Sequence, residues 1–444
     1  MSAGRLPLLS IVGLAACTAH HDIGAVRFTQ TMSRDVDVLV VVDDSLSSNA
    51  LPGLARDFPA FAEAIQASAS SLHIGFITSD MGGGTALPCK PGENGVFESN
   101  VQCSASPVIS SEASMPSAPA SFADALVCLF PTRLGCPLQQ PFAAVKAALD
   151  RTSGTAPPQF LRESADLVVV FFAGRDDCSL SPGSKLFDAP DAGVDAGTSG
   201  STEELLYRCA ESGVQCNYQP LPATLTTFSP VSLPMCQSSE NGQDLLTVAD
   251  TAEFLFELKD DIKQVFVVVV AGPTAPFTIN MSDATNPTVE ASCQGNAVTA
   301  LPPVRLQELT EKLRSNGIST SICGVALASQ LANAGRSVAA RTRCLSGMPR
   351  MAASGADGGA DTDAGAGGNG GIPLCDVTYA TVTDAGATDL TIPACAAGQP
   401  PCFRLVQNAA ECPGSGLEID LVPGPSPLPP GSFIVDCLGT PSSE

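Results

Sequence analysis

The chain has 444 residues, enough to bury the core of one large domain or of two or three ordinary ones. Its formal net charge of -23, from 22 basic and 45 acidic residues, excludes nucleic acid as a plausible partner, because no basic surface would offset the repulsion of a polyphosphate. Hydrophobic residues make up 44% of the chain, which excludes a wholly disordered protein, whereas 40 Gly and 36 Pro predict long loops.

The amino terminus has the pattern of an export signal. Arg5 precedes an apolar stretch, and "LAAC" at residues 14–17 resembles a bacterial lipobox, in which the cysteine is lipidated. This predicts a signal peptide over residues 1–16, a lipid anchor on Cys17 and a tether over residues 17–34. An ordinary cleavable signal is the alternative. Because Thr18 replaces the aspartate of an inner-membrane retention signal, the resemblance implies the outer membrane or the cell surface.

The cysteines also indicate export. With Cys17 lipidated, an even number of the 17 cysteines remains, spread over the whole chain, as expected for disulfides in an oxidising compartment. Zinc is the competing explanation, but the chain has no CxxC pair and only three histidines. We therefore expect disulfides, with Cys128 and Cys136 close enough to join one loop.

Buried strands alternate with amphipathic helices along most of the chain. Strands of Val, Leu and Phe bounded by charges, followed by helices with apolar residues at helical spacing, predict a doubly wound, mostly parallel α/β sheet covered on both faces. The predicted strands are 35–42, 72–78, 166–172 and 264–271. The predicted helices are 52–69, 121–130, 141–149, 251–259, 302–314 and 326–341.

Composition divides the chain into two folded parts. The α/β domain is expected over residues 35–345, with an insert at 185–245. A linker rich in Gly, Ala and Asp follows over residues 346–372, because that composition cannot build a core. Residues 373–444 then predict a small disulfide-rich β tail. Its five cysteines are an odd number, so at least one should pair with the α/β domain.

Oxygen-bearing side chains follow two of the predicted core strands. "DDSLSS" comes directly after the first strand and supplies Asp43, Ser45 and Ser47, and Asp176 and Asp177 follow the third. Because parallel α/β sheets bind ligands at the carboxyl edge of their strands, these side chains are candidates for one site.

Several motifs in collinear order resemble the von Willebrand factor A (vWA) family, in particular exported vWA-like lipoproteins of the myxobacterial type. They include "VDVLVVVDDSLSS" at 36–48, "LHIGFITSDMG" at 72–82, "GCPLQQPFAAVKAAL" at 135–149 and "VVVFFAGRDDCS" at 168–179. The resemblance covers residues 35–344 and implies a vWA/Rossmann-like fold. It also implies a divalent-cation site in which Asp43, Ser45 and Ser47 are joined by a threonine and an aspartate from two later loops. Hard oxygen ligands of this kind suit Mg²⁺.

Three positions depart from that family pattern. Gly174 stands where the aspartate is expected, Arg133 stands at the threonine position with Thr132 beside it, and Leu46 replaces the small residue between the serines. Loss of a carboxylate and gain of arginines predict a degenerate site with no cofactor, in which Asp43 bonds the two serines and Arg133 or Arg175 supplies the counter-charge. The alternative is an intact site for Mg²⁺ or another divalent cation, completed by Thr132 and by Asp176 or Asp177.

Catalytic motifs are missing from the sequence. His73 begins a core strand, where a structural role is expected, and the phosphate-binding GxxxxGK[ST] pattern does not occur. We therefore expect a non-enzymatic envelope lipoprotein that is held to the membrane by its lipid and binds a protein or glycan partner at the carboxyl edge of the sheet. A structural envelope lipoprotein without a dedicated ligand site is the second hypothesis.

Overall fold

The computed structural model describes most of the chain beyond residue 25. The described residues are 26–33, 35–67, 69, 71–82, 92–111, 121–152, 154–187, 202–222, 230–283, 286–295, 297–345, 374–383, 386–395, 400–408, 412, 416–422 and 432–439. The expected signal peptide, Cys17 and the linker lie outside them.

The described residues contain helices α1 to α8. Their bounds are Ala50–Asp57, Pro59–Gln66, Phe122–Leu129, Pro141–Leu149, Thr202–Gly213, Val248–Glu257, Val304–Lys312 and Leu327–Arg341. Short 3-10 turns lie at Ile262–Gln264 and Arg314–Asn316.

Strands β1 to β20 form six separate sheets. The bounds of β1 to β10 are Val26–Ser33, Asp35–Val42, Ser71–Thr78, Val108–Ser110, Asp166–Phe172, Val214–Cys216, Gln219–Pro220, Val231–Leu233, Cys236–Ser238 and Val265–Ala271. The bounds of β11 to β20 are Phe277–Asp283, Asn286–Val289, Cys293–Gly295, Val298–Ala300, Gly317–Ser321, Leu374–Thr383, Gly386–Ile392, Cys402–Gln407, Leu417–Val422 and Ser432–Gly439.

A six-stranded sheet forms the centre of the molecule. Its strand order is β15-β10-β5-β2-β3-β4, and only β4, at one edge, runs antiparallel to its neighbour. Every residue of β2, β5 and β10 is buried, as their runs of Val and Phe require, because a parallel sheet is covered on both faces.

The two faces of this sheet carry separate cores. Val38, Val40 and Val42 of β2 belong to a core that also contains buried residues of α1, α2, α3 and α8. Leu39 and Val41 point to the other core, which contains buried residues of α4, α6 and α7. The protein is thus a mixed α/β protein whose main sheet is mostly parallel.

The helix predicted over residues 52–69 is in fact two helices, α1 and α2, that meet at Phe58. Pro59 occupies the first turn of α2, where its missing N–H costs nothing, whereas inside one continuous helix it would remove a hydrogen bond. Phe58 is fully buried at the junction.

The tail folds as a β module that includes the amino-terminal strand. Its four-stranded sheet has the order β1-β20-β16-β17, and a hairpin of β18 and β19 adds to its core. Residues 26–33, expected as part of a tether, therefore form β1 and pair with β20 from Val26↔Gly439 to Ser33↔Ser432. The tether prediction for these residues is wrong, because the strand's partner lies some 400 residues away and leaves no local signal.

The tail is joined covalently to the α/β domain, as the odd number of cysteines predicted. Cys344, just after α8, forms a disulfide with Cys412. Arg343 donates to Glu418 at 2.8 Å, and the backbone N–H of Ile419 donates to the carbonyl of Arg343 at 3.0 Å.

Six more disulfides lie among the described residues, a number consistent with an extracellular or surface protein. The pairs are Cys103–Cys128, Cys178–Cys209, Cys216–Cys236, Cys293–Cys323, Cys375–Cys437 and Cys395–Cys402. The expected link between Cys128 and Cys136 is wrong, because Cys128 at the end of α3 faces the turn that carries Cys103. Within the described ranges no helix has the length and apolar composition to span a bilayer.

Candidate functional site

The candidate site lies where β2 and β5 end side by side. After β2 the chain continues to β3 on one side of the sheet, and after β5 it continues to β10 on the other. A reversal of this kind opens a crevice outside the carboxyl ends of the two strands, which is where open α/β sheets bind ligands. Asp43 follows β2 and Gly174 lies just beyond β5, so both line this crevice.

Asp43 is buried and its carboxylate is satisfied by the protein itself. Oδ1 accepts hydrogen bonds from the backbone N–H of Ser45 at 2.9 Å and from its hydroxyl at 2.5 Å. Oδ2 accepts from the backbone N–H of Gly174 at 2.9 Å. Burial raises the pKa of Asp43, and the charge of Arg175 and these hydrogen bonds oppose that rise.

Leu46 fills the space beside Gly174. A Cβ atom at position 174 would lie 2.4 Å from Cδ2 of Leu46 and 3.3 Å from Oδ2 of Asp43. An aspartate therefore cannot stand at position 174 unless Leu46 moves. The two departures from the expected pattern are therefore one structural feature, since the Leu46 side chain occupies the volume that an aspartate at position 174 would need.

Ser47 and Thr132 do not join Asp43. The Ser47 hydroxyl donates to the carbonyl of Ala297 at 3.0 Å and accepts from the backbone N–H of Ala50 at 3.2 Å, so it stabilises the turn that leads into α1. The expected Asp43–Ser47 hydrogen bond is not among those of the described residues. Thr132 is exposed in the loop after α3.

Asp176 stabilises the start of a helix. Its carboxylate accepts from the backbone N–H of Arg305 at 2.9 Å and from that of Leu306 at 3.2 Å, both in the first turn of α7. A carboxylate is favourable at this end of the helix dipole. Burial nevertheless raises the pKa of Asp176 to about 6, against these hydrogen bonds.

Asp177 holds a buried ion pair and caps a second helix. Its Oδ2 lies 3.0 Å from Nη2 of Arg305, and its Oδ1 accepts from the backbone N–H of Phe142, in the first turn of α4, at 3.1 Å. Both groups of the ion pair are at most 1% exposed. The neighbouring acids therefore connect α4 and α7 to the loop after β5, and neither points at Asp43.

The two arginines near the site have different roles. Arg175 donates to the carbonyl of Pro137 and lowers the pKa of Asp43 through its charge, as expected for an internal counter-charge. Arg133 instead contacts Glu93 and Glu98, so of the two arginines expected as alternatives, Arg175 is the one that acts on Asp43. Neither glutamate was singled out in the sequence, because both lie in an irregular loop.

These residues do not fit a divalent cation. Both oxygens of Asp43 already accept hydrogen bonds, Leu46 fills the place of a second carboxylate, and Asp176 and Asp177 are held by helix termini. In the part of the chain that the structure describes, no group of three or more His, Cys, Asp or Glu side chains could hold a metal ion.

Two buried acids beside Asp43 were missed by sequence reasoning. Asp44 is fully buried, and its Oδ1 accepts from Gln139 at 3.1 Å, while its Oδ2 has no hydrogen-bond partner among the residues that the structure describes. Burial raises the pKa of Asp44 to about 8, and the charges of Asp80 and Asp43 add to the rise. Asp80 accepts from the backbone N–H groups of Gly82 and Cys136. An acid directly after each strand was the available signal.

A cleft of about 480 Å³ lies at the end of α3 and the loop that follows it, and two residues after Arg133 the backbone N–H of Gly135 donates to the carbonyl of Asp44 at 3.0 Å. Its apolar wall includes Leu129 and Phe130 at the end of α3, and its polar wall includes Glu98, Thr132 and Arg133. Thr132, the expected metal ligand, thus lines a cleft rather than a coordination sphere. The disulfide Cys103–Cys128 joins the two sides of the cleft.

Comparisons with known proteins assign no family. No protein-family model matches the chain, and no curated protein matches it. Among solved structures, the pilus adhesin SpaC from Lactobacillus rhamnosus GG aligns with 10% identity and a TM-score of 0.28, over 91% of this chain and 39% of the adhesin chain. The chain thus spans about two fifths of that adhesin, and a score this low supports no conclusion about fold or function.

Proposed function

We propose that this protein is a non-enzymatic envelope lipoprotein that binds a protein or glycan partner at the carboxyl edge of its central sheet, without a metal ion. Its α/β domain would be a doubly wound vWA-like domain. Numbered along the chain, the strands of the main sheet have the order 3-2-1-4-5-6, with the antiparallel strand at one edge. That order supports the assignment, together with the sequence motifs.

One observation carries the proposed function. The carboxyl edge has a cleft lined by Glu98, Thr132 and Arg133, while the neighbouring cation position is filled by Leu46 and by hydrogen bonds to Asp43. The cleft is concave and combines apolar residues such as Leu129 and Phe130 with polar residues such as Glu98 and Arg133, so it can offer both kinds of contact to a partner. Recognition at this edge would therefore depend on the cleft and not on a bridging cation.

The lipid anchor belongs to the same proposal. The lipobox resemblance at Cys17 supports attachment to the outer membrane or cell surface, and the seven disulfides among the described residues support an oxidising location. The protein would then present its carboxyl edge outside the cytoplasm.

The test is binding of the purified full-length protein to arrays of glycans and of surface proteins, in millimolar Mg²⁺ and in EDTA. We expect the same binding in both buffers, and we expect Mg²⁺ or Mn²⁺ to leave the melting temperature unchanged, because a ligand that binds only the folded state would raise it.

A blocking variant locates the site. Thr132→Arg places a large side chain in the cleft and should abolish binding, whereas Thr391→Arg, on the exposed surface of β17, should not. Binding that survives Thr132→Arg would refute the proposed site. An array without any hit would favour a structural envelope protein, and loss of binding in EDTA would restore a metal-dependent site.

A further inference from the structure

The cleft at the carboxyl edge is held rigid before any partner arrives. The loop that forms one side is fixed by the disulfide Cys103–Cys128 and by hydrogen bonds from the N–H groups of Cys103 and Ser104 to the carbonyl of Asn100, at 2.8 and 2.9 Å. Phe130, on the opposite wall, is 3% exposed and packs among other buried aromatic rings. A pre-organised site loses little entropy when it binds.

A cationic group of the chain itself already occupies part of this cleft. Arg133 approaches Glu98 with two nitrogens, Nη1 at 2.8 Å from Oε2 and Nη2 at 2.6 Å from Oε1. Its Nε lies 2.6 Å from Oε1 of Glu93. This is the two-point geometry in which carboxylates receive a guanidinium group. The contact shows that the two glutamates are placed to bind a guanidinium group.

Arg133 is a replaceable occupant. Its side chain is 52% exposed, whereas those of Glu93 and Glu98 are 24% and 12% exposed. A second guanidinium group that reached the same carboxylates would make the same two-point hydrogen bonds, so exchange of one for the other costs little. The other carboxylate oxygen of Glu93, Oε2, accepts a hydrogen bond from the hydroxyl of Thr78 at 2.9 Å. The Glu93 side chain therefore stays in place if Arg133 moves away.

Charge and apolar surface together indicate the class of partner. Two carboxylates face one guanidinium, in a chain of net charge -23, so an additional cation is favoured and an anion is repelled. Val101 lines the cleft and is 88% exposed, and Leu134, next to Arg133 in sequence, is 61% exposed. Exposed apolar residues around a charged centre are typical of surfaces that bind protein segments.

We propose that the cleft binds an extended segment of a protein partner through an arginine or lysine side chain that takes over Glu98 and Glu93 from Arg133. This inference rests on the proposed function and specifies its partner. Arg133 is the internal competitor of the partner's cation, and Val101 contacts the apolar residues beside that cation.

The competition predicts opposite effects for two neighbouring substitutions. The probes are fluorescein-labelled peptides Leu-Arg-Leu and, as the neutral match, Leu-citrulline-Leu, followed by fluorescence anisotropy with the full-length protein at physiological salt. We expect the citrulline peptide to bind about 10-fold more weakly, which corresponds to the loss of about 1.4 kcal/mol. Glu98→Gln should weaken binding of the arginine peptide by about 10-fold, and Arg133→Gln should strengthen it several-fold.

Control variants separate this site from general attraction to an acidic protein. Glu63→Gln changes the charge by the same amount on the exposed surface of α2 and should leave binding unchanged. Val101→Ser, at a side chain that packs little in the fold, should weaken binding about 3-fold, through the apolar contact alone. Circular dichroism and the melting temperature of each variant establish that it is folded.

Each outcome decides the inference. Equal effects of Glu98→Gln and Glu63→Gln, weaker binding in Arg133→Gln, or equal binding of the two peptides would overturn it. If neither peptide binds but Thr132→Arg still blocks binding to the arrays, the inference of a basic partner segment is wrong and the proposed function stands. If Thr132→Arg leaves array binding intact, the proposed function itself fails.

Discussion

At the scale of single residues, the arrangement around Asp43 depends on one steric contact and three hydrogen bonds. Leu46 and Gly174 are complementary in shape, and Asp43 is satisfied by Ser45 and Gly174. The buried Asp43 carboxylate accepts hydrogen bonds from donors of the protein. It therefore does not need a bound metal ion to be stable in the core.

The Leu46–Gly174 contact makes a first prediction. Gly174→Ala should destabilise the protein by about 1–3 kcal/mol, because the new methyl group overlaps Leu46 in a packed region. Leu46→Ala in the same chain should recover part of that loss, so the two changes are not additive. Urea unfolding without reductant measures the free energy. Gly53→Ala in α1 is the control, since its nearest neighbour would be 4.0 Å away, and additive effects at 46 and 174 would contradict the contact.

The ion pair of Asp177 and Arg305 gives a second prediction. Arg305→Met should cost about 3–5 kcal/mol, because it leaves the Asp177 carboxylate buried without its counter-charge. Arg56→Met is the matched control, since Arg56 pairs with Asp57 at the surface with 74% of its side chain exposed. Its effect should stay below about 1 kcal/mol. Similar losses in the two variants would show that Arg305 does not hold the loop after β5.

Asp44 predicts a dependence of stability on pH. Its pKa is about 8 in the folded protein, whereas an unfolded aspartate has a pKa of about 3.9, so the folded state holds one more proton between these values. The stability that this proton contributes is complete below pH of about 4 and is lost as the pH rises through about 8. The free energy of unfolding of Asp44→Asn, measured from pH 4 to pH 9, should therefore fall less steeply than that of the wild type. Parallel curves would mean that Asp44 is ionised when folded.

At the scale of elements, helix termini and one distant strand pairing decide the arrangement around the site. Asp176 and Asp177 fix the first turns of α7 and α4, and Pro59 divides one predicted helix into α1 and α2. Strand β1 contributes an edge to the tail sheet, although it precedes the α/β domain in the chain.

Disruption of β1 should loosen the tail but not the central sheet. Thr31 and Met32 pair with Ile434 and Phe433 of β20. In an antiparallel ladder, the backbone N–H groups of consecutive residues point alternately toward the partner strand and away from it. Replacing both by proline must remove at least one ladder hydrogen bond. Hydrogen exchange at β20 should become about 10-fold faster or more while β5 is unchanged. Valine at both positions is the control, and unchanged exchange at β20 in the proline variant would mean that β1 is dispensable.

At the scale of the whole molecule, the two ends of β2 face different parts of the protein. Its first residue, Asp35, follows the tail sheet with one residue between them, and its last residue, Val42, precedes the candidate site. Eight residues of strand span about 26 Å, so the candidate edge lies roughly that far from the point where the chain leaves the tail module.

The anchor can be tested on its own. Cys17→Ser should move the protein from the membrane fraction to the soluble fraction, because lipidation requires the thiol. Ser48→Cys, at an exposed position beyond Ser47, is the comparison and should stay with the membrane. Continued membrane association of Cys17→Ser would mean that the lipobox has been misread.

The sequence alone determined four of the six strands of the central sheet and most of the helices that cover it, because their patterns are local, whereas the short strands β4 and β15 and helix α5 were not predicted. Runs such as "DLVVVFF" and "VFVVVVA" specify fully buried strands, and the helices between them have apolar residues at regular spacing. It also predicted that the tail would be linked to the domain, from the odd number of its cysteines. The glycine at position 174, where the resemblance implies an aspartate, was visible in the sequence as well.

Only the tertiary structure decided what the site residues contact. Arg133 and Glu98 are 35 residues apart, Asp176 and Arg305 are 129 apart, and the partner of β1 is at the other end of the chain. Hydrogen bonds and ion pairs between such distant groups depend on the path of the backbone and leave no periodic pattern in the sequence. For that reason the sequence identified a strand end rich in oxygen-bearing side chains. Only the fold decided that the acids there stabilise the first turns of helices and that an open cleft lies nearby.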